Sequence, residues 1–222
     1  MKIVVINGSP KGKDSNTNIM VSAFLKGAQE AGAETINIFL SEKEIKYCKG
    51  CHICWSREPG QCVTNDDMLG IISSMGGADI IIFATPIYFE NISGTLKVFM
   101  DRMTMIGGPH SQKEIKEKSQ KSGPGETQTP KLMMISNCGL SDREEFQVVS
   151  LWIKKVARKM HMELIGEIYA TQGKFLKYPP EKLQPVIYDY LMLLEKAGRE
   201  ITADMKLSEI TEKQLSQNYI YE

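Results

Sequence analysis

The run Ala78-Asp79-Ile80-Ile81-Ile82-Phe83-Ala84-Thr85 limits what this chain can fold into more than any other stretch. Its apolar residues are consecutive instead of alternating, so a strand made from them must be covered on both faces. Such strands sit inside parallel sheets, whose neighbours need crossover connections, usually helices. The rest of the chain supplies both kinds of element. Ile3 to Ile6 is another β-branched run, and Glu34 to Leu40 has strand character. Between them Ile19, Met20, Ala23, Phe24, Ala28 and Ala31 fall at spacings of three and four, one helical face stopped by Gly32. Asn65-Asp66-Asp67 offers an N-cap for a helix through Met75, ended by Gly76-Gly77. Ser93 can cap the next helix, with Leu96, Phe99, Met100 and Met103 on its inner face.

Lys131 to Ser136 predicts a fourth strand, Asp142 to His161 a helix, and Glu163 to Ala170 a fifth strand. Pro179-Pro180 then precedes a long helix running toward Met205. Five strands alternating with helices predict an α/β fold, a doubly wound parallel sheet with helices on both faces. The sequence reads as one domain over residues 1–205. It carries a cysteine segment at 45–64 and a polar insertion at 107–130, and 206–222 follow as a charged tail with an apolar end at Tyr219 to Tyr221. The insertion reads as a lid or an interface arm, or as a segment without fixed structure.

Charge narrows the partners. With 27 basic and 27 acidic side chains the net charge is zero, which argues against nucleic acid or anionic lipid, since both reward a basic excess. The longest apolar runs, Ile80 to Ala84 and Ile3 to Ile6, fall far short of the roughly 18 residues a membrane span requires. The start, Met1-Lys2-Ile3-Val4-Val5-Ile6-Asn7-Gly8, is too short in apolar residues for a signal peptide core, so a cytoplasmic chain with reduced thiols is expected.

In doubly wound sheets ligands bind beyond the carboxyl ends of the strands, where the strand order reverses. The loop after the first strand is Gly8-Ser9-Pro10-Lys11-Gly12-Lys13-Asp14-Ser15-Asn16-Thr17. Gly8 permits a sharp turn, and Ser9, Ser15, Asn16 and Thr17 bring hydroxyls, an amide and free N–H groups to a helix N-terminus, an anion site. It is not a nucleoside triphosphate loop, because Gly12-Lys13 comes a residue early with Asp14 behind it. A polar capping turn is the plainer reading. The third strand ends in Thr85-Pro86-Ile87-Tyr88-Phe89-Glu90-Asn91-Ile92-Ser93-Gly94, an aromatic loop suited to a flat ring, or else to plugging the sheet edge. Together the two loops suggest a mononucleotide with a large planar ring, a description that fits FMN.

Gly8-Ser9-Pro10 with Ser15-Asn16-Thr17, then Thr85-Pro86-Ile87-Tyr88-Phe89 with Ser93-Gly94, Lys97 and Asp101-Arg102, resemble the flavodoxin-like NAD(P)H-dependent FMN reductases. The cysteine segment between them is similar to the branch containing the iron–sulfur flavoproteins. The resemblance covers Met1 to Ala170 and implies a five-stranded sheet in the order 2-1-3-4-5. It also implies that Ser9, Ser15, Asn16 and Thr17 hold the FMN phosphate with help from Lys11. Pro86, Ile87, Tyr88, Phe89 and Asn91 would line the isoalloxazine, and Cys138-Gly139 would approach the ring from the far side. Asp101-Arg102 would be an internal ion pair and dimer contact. The implied assembly is a homodimer or homotetramer.

Cys48, Cys51, Cys54 and Cys62 lie within 15 residues. Three tightly spaced thiolates can cap three corners of a [4Fe–4S] cubane, and a longer loop containing Pro59-Gly60 can return the fourth. Relatives without a cluster also keep cysteines here, as buried small residues or as reactive thiols near the flavin. Zinc would be better served by two separated Cys-x2-Cys knuckles, and His52 could replace a ligand. The fifth cysteine, Cys138, reads as core or flavin wall. His161 ends a helix, and His110 falls in the insertion. Without a nucleophile–histidine–carboxylate set at motif spacing, hydrolase chemistry is unsupported.

The resemblance therefore implies an FMN-dependent oxidoreductase. It would carry hydride or electrons from NAD(P)H through FMN to a quinone, nitro compound, flavin or metal acceptor, with no side chain assigned a catalytic role. The alternative is an iron–sulfur flavoprotein that takes single electrons from ferredoxin through a [4Fe–4S] cluster to FMN.

Overall fold

The computed structural model describes residues 1–57, 60–106 and 129–220. Most of the insertion (107–128), with His110, and Pro59 of the cysteine segment therefore lie outside the described residues.

The sheet is built from Lys2–Asn7 (β1), Glu34–Phe39 (β2), Ile80–Tyr88 (β3), Asn91–Ile92 (β4), Lys131–Asn137 (β5) and Leu164–Ala170 (β6). The parallel strands lie in the order β2-β1-β3-β5-β6, with β4 beside β3. The order differs from 2-1-3-4-5 only in numbering. The strand-forming chain runs past Thr85 to Tyr88 and folds back as the short antiparallel β4, pairing Tyr88 with Asn91. Register is continuous across the centre, Val5 beside Ile82 and Ile82 beside Met133.

Each central strand is buried on both sides because alternate residues enter two cores. On one face Ile3, Val5, Ile80, Ile82, Met133 and Ile135 pack under Asn16–Glu30 (α1) and the long helix that follows Pro179-Pro180. On the other Val4, Ile6, Ile81, Phe83, Leu132 and Met134 pack under three further helices. These are Met68–Met75 (α3), Gly94–Arg102 (α4) and Gln147–Met160 (α5), while Ile53–Ser56 (α2) is a single turn within the cysteine segment. Trp152 on α5 and Phe99 on α4 both meet Phe83, at 6.1 and 6.5 Å between ring centroids. His161 closes α5 in the left-handed region, φ 54°, the usual way to end a helix.

The long helix Gln184–Asp204 (α6) lies directly on α1. Two glycines make that approach. A Cβ added at Gly27 would sit 1.8 Å from the Glu195 carbonyl oxygen, and one at Gly198 would sit 2.0 Å from the Phe24 carbonyl oxygen. The helices thus touch backbone to backbone. The residues after 205 do more than trail as a charged tail. They form Glu209–Leu215 (α7), capped by Ser208, and bury Leu207, Leu215 and Ile220 in the α1–α6 core. Tyr219 stacks on Tyr190 of α6 at 4.3 Å.

Candidate functional site

Polar residues gather where β1, β3 and β5 end. Asn7, Thr85, Ser136 and Asn137 are all buried there, although the strands around them are apolar. Most are bonded to one another's segments. The Ser136 hydroxyl donates to the Thr85 carbonyl at 2.7 Å, and the Thr85 hydroxyl accepts from the Ser93 N–H at 3.0 Å. The Ser93 hydroxyl donates to the Gly8 carbonyl at 2.5 Å and accepts from the Leu96 N–H at 3.1 Å. One serine thus caps α4 and joins the first loop to the third strand. Gly8 has no room for a side chain, since a Cβ would fall 2.6 Å from Leu96 Cβ.

Loop 8–17 is held from inside. The Ser9 N–H donates to Asn7 Oδ1, and Ser15 Oγ donates to the Gly12 carbonyl while capping α1 through the Asn18 N–H. The Thr17 hydroxyl donates to Asn137 Oδ1 at 2.7 Å, a buried link between α1 and β5. Ser9, Ser15 and Thr17 are all buried, Asn16 is half-buried and Lys11 is exposed. The hydroxyl protons of Ser15 and Thr17 are committed, so an anion here would meet backbone N–H groups of the first turn of α1, which no helix bond uses, together with Ser9 and Asn16. Two features fit a bound phosphate and ring: the buried Nδ2 of Asn7 has no partner, and Gly8 brings main chain to the mouth of the loop without a side chain. Lys177, from beyond β6, donates to both the carbonyl and a carboxylate oxygen of Asp14, adding a cation at the loop's rim.

The aromatic loop is a tight hairpin. Phe89 and Glu90 both adopt left-handed backbone, φ 48° and 65°, the conformation of a two-residue turn that usually carries glycine or asparagine. Pro86 is buried within β3, Ile87 half-buried, and Tyr88 and Asn91 exposed, while Phe89 stands wholly in solvent at 102% of reference exposure. Cys138 is turned into the core with its sulfur 3.4 Å from the Leu140 carbonyl, and burial raises its thiol above the ordinary value. The residue that faces open space is Gly139, where an added Cβ would meet nothing.

The sequence pairs Asp101 with Arg102, and the structure separates them. Asp101 is exposed and bonds Lys97 at 2.6 Å, one helical turn away. Arg102 is buried and pairs with Asp66, each side chain 1% exposed. Asp66 also accepts the N–H groups of Lys46 and Met68, at 2.9 and 3.1 Å, and Arg102 donates to the Lys46 carbonyl at 2.9 Å. Burial works against the Asp66 carboxylate, but these donors outweigh it and hold its pKa below the ordinary value. Asp67 repeats the tie, accepting the Glu44 N–H at 2.8 Å. The two aspartates thus hold the start of the cysteine segment against α3.

Cys54 and Cys62 are half-buried against the core, whereas Cys48 and Cys51 are exposed, and none is in a disulfide. Burial raises the Cys54 thiol. For Cys62 burial also acts upward, but the Thr64 N–H and the Arg102 guanidinium prevail and lower it. The donor chemistry suits a thiophilic metal, yet no three ligands converge among the described residues, so the segment as it stands does not fit a closed metal shell. His52, in left-handed backbone, stacks on Trp55 at 4.5 Å instead of joining the thiols.

Residues 1–170 match the profile of a family described as NADPH-dependent FMN reductase. An iron–sulfur flavoprotein of Methanocaldococcus jannaschii is 41% identical over 102 residues, 46% of this chain and 51% of that protein. One from Methanosarcina thermophila is 41% identical over 106 residues, 48% of this chain and 54% of its own. The chain thus spans about half the length of the curated relatives it matches. Among solved structures, an NAD(P)H:quinone oxidoreductase from Methanothermobacter marburgensis superposes with a TM-score of 0.63, covering 90% of this chain and 96% of its own at 14% identity, a likeness of fold.

Proposed function

The chain belongs to the NADPH-dependent FMN reductase family, and from that premise we propose that it is an FMN-dependent oxidoreductase moving electrons from NAD(P)H to a small acceptor such as a quinone, nitro compound, flavin or metal. The observation that carries this reading is the Ser93–Gly8 bond, which fixes a phosphate-type loop and an aromatic hairpin side by side at the carboxyl ends of β1 and β3. FMN, when bound, supplies the redox chemistry.

The protein's part is to bind and orient. The first turn of α1, with Ser9, Ser15, Asn16, Thr17 and Lys11, would hold the phosphate. Pro86, Ile87, Tyr88, Phe89 and Asn91 would border the ring on one side, and the main chain at Cys138-Gly139 on the other. Since the Cys138 sulfur faces the core, its backbone is the part available to a ring. Exposed Tyr88, Phe89, Leu140, Val148 and Leu151 support assembly into a homodimer or homotetramer. No described helix is long and apolar enough to cross a membrane. Purified protein should show flavin absorption or bind added FMN with quenched fluorescence, and it should oxidise NADH or NADPH once a quinone is supplied. Failure to bind FMN ends this reading.

The relatives' name supports a second reading, an iron–sulfur flavoprotein that takes single electrons from ferredoxin through a [4Fe–4S] cluster on Cys48, Cys51, Cys54 and Cys62. Iron and sulfide assays on anaerobically prepared protein decide it, with about four of each per chain expected.

A further inference from the structure

The wall proposed for the far side of the ring, Cys138-Gly139, belongs to the loop that follows β5. Gly139, Leu140, Ser141 and Asp142 are all exposed there, so little packing steadies them. On its inner side the loop is laced to the one after β6. The Cys138 N–H donates to the Ala170 carbonyl at 3.0 Å, the Gly173 N–H to the Cys138 carbonyl at 2.7 Å, and the Gln172 N–H to the Leu140 carbonyl at 2.7 Å. Gln172 makes that last bond from left-handed backbone, φ 51°, a state that persists in a glutamine only where the surroundings fix it.

The end of the chain supplies those surroundings. Asn218 uses both ends of its amide: Oδ1 accepts the buried Thr171 hydroxyl at 3.1 Å, and Nδ2 donates to the Ser141 carbonyl at 3.1 Å. One side chain thus spans the loops after β5 and β6. Its neighbours seat it. Arg143 donates to the carbonyls of Tyr169 and Gln217, both at 3.2 Å. Tyr219 stacks on Tyr190, and Ile220 is buried in the α1–α6 core. Burial raises the Tyr219 phenol above the ordinary value, and the Cys138 thiol adds to the rise, so this ring lies within electrostatic reach of the wall's own sulfur. The hydroxyls of Tyr190 and Tyr219 are buried without a hydrogen-bond partner among the described residues. These two rings therefore hold the tail by shape, whereas the directional bonds of Asn218 fix a distance.

We propose that Asn218 is a positioning residue of the flavin site: by tying Ser141 to Thr171 it sets where the main chain of Cys138-Gly139 stands against the ring, so the end of the chain governs how tightly the ring is held. This deepens the first reading and rests on its placing of the ring there. A loop tied on one side only can swing away from a ring. Tied on both, it is ordered before the ring arrives, and binding no longer bears the cost of ordering it.

The test uses the full-length protein and two ligands, FMN and riboflavin, which share the ring and differ in the phosphate. Asn218→Ala raises the Kd of both by about fivefold or more and by the same factor, measured by fluorescence quenching. Asn218→Asp keeps an acceptor for Thr171 but offers the Ser141 carbonyl no donor, and the same paired loss is expected. Lys11→Ala, at the phosphate loop, raises the Kd of FMN alone. The visible absorption band of bound FMN shifts in both Asn218 variants and stays in place in Lys11→Ala, a readout the phosphate does not enter. Should the Asn218 variants fold poorly, Thr171→Val breaks the tie from its other side and should give the same losses. A merely structural tail would lower Tm and leave both Kd values and the band of the folded variants unchanged, and that result overturns the proposal. A loss confined to FMN also overturns it, by assigning the tail to the phosphate loop. Wild-type protein that binds neither ligand overturns the first reading itself, and this inference with it.

Discussion

Loop 8–17 follows the inner strand β1, and the cysteine segment follows its edge neighbour β2, so both leave the same end of the sheet. In the first, the buried Ser15 hydroxyl is bonded to main chain, and that of Thr17 reaches across to the Asn137 side chain on β5. In the second, strong bonds hold the two ends, Trp55 is tied to the Thr104 carbonyl, and residues 47–51 make no hydrogen bond among the described residues. An anion can be held by main-chain N–H groups that the helix itself leaves free, so its loop can be complete in advance. Four thiolates cannot be gathered that way, because their mutual repulsion is relieved only by the cation they bind. A built loop is what an anion would require, and a half-built one is what the second reading's thiolate-bound cation would require.

The comparison can be broken at several strengths. Gly27→Ala drives a methyl group into the Glu195 carbonyl and forces α1 off α6. A loss of about 3 kcal/mol or more is expected, near 10 °C in Tm, and both FMN binding and the cysteine segment should suffer. Asp66→Asn strands Arg102 in a buried site and should cost about 3 kcal/mol. It frees the cysteine segment to react faster with a thiol reagent while FMN binding persists.

The same pair gives a pH dependence. The Asp66 pKa is depressed in the folded chain, so its stabilisation is fully present above the unfolded value of about 4 and is lost as pH falls through the folded one. Urea melts at pH 7 and below 4 should differ in the wild type and converge in the asparagine variant. Thr17→Val leaves Asn137 Oδ1 unpaired and should cost about 1–3 kcal/mol with a rise in the FMN Kd, measured by fluorescence quenching, and no change in thiol reactivity. Smallest of all, Glu90→Gly relieves left-handed strain in the hairpin and should stabilise by about 1 kcal/mol, read as a small rise in Tm that touches neither segment's ligand.

Much of this was legible in the sequence because it is written in periodicity. The unbroken run Ile80 to Ala84 predicts an inner strand, and it lies between β1 and β5. Ser93 reads as a cap and is one. What escaped was non-local. Nothing in the spacing of Asp66 and Arg102 announces a buried pair 36 residues apart, and Asp101 beside Arg102 offered a nearer, mistaken partner. Asn7 and Asn137 look like strand-end residues until the fold brings them together. Their signal was faint but present: polar side chains closing apolar strands at the carboxyl edge of a parallel sheet. The hairpin was hidden for a different reason, since Phe89-Glu90 lacks the glycine or asparagine that marks such turns.

The family match ends at residue 170, whereas the glycine seam lies between α1 and a helix that begins at 184. Two helices touching backbone to backbone cannot slide without unpacking, so α1 moves with α6 as one body. The first turn of α1 is also the anchor of loop 8–17. The last quarter of the chain, which the family match does not reach, is therefore mechanically in series with the loop, and a chain cut after Ala170 would bare the apolar side of α1. Any change in the C-terminal helices, whether by sequence drift, truncation or a partner's grip, would register first in how firmly the loop's helix is seated.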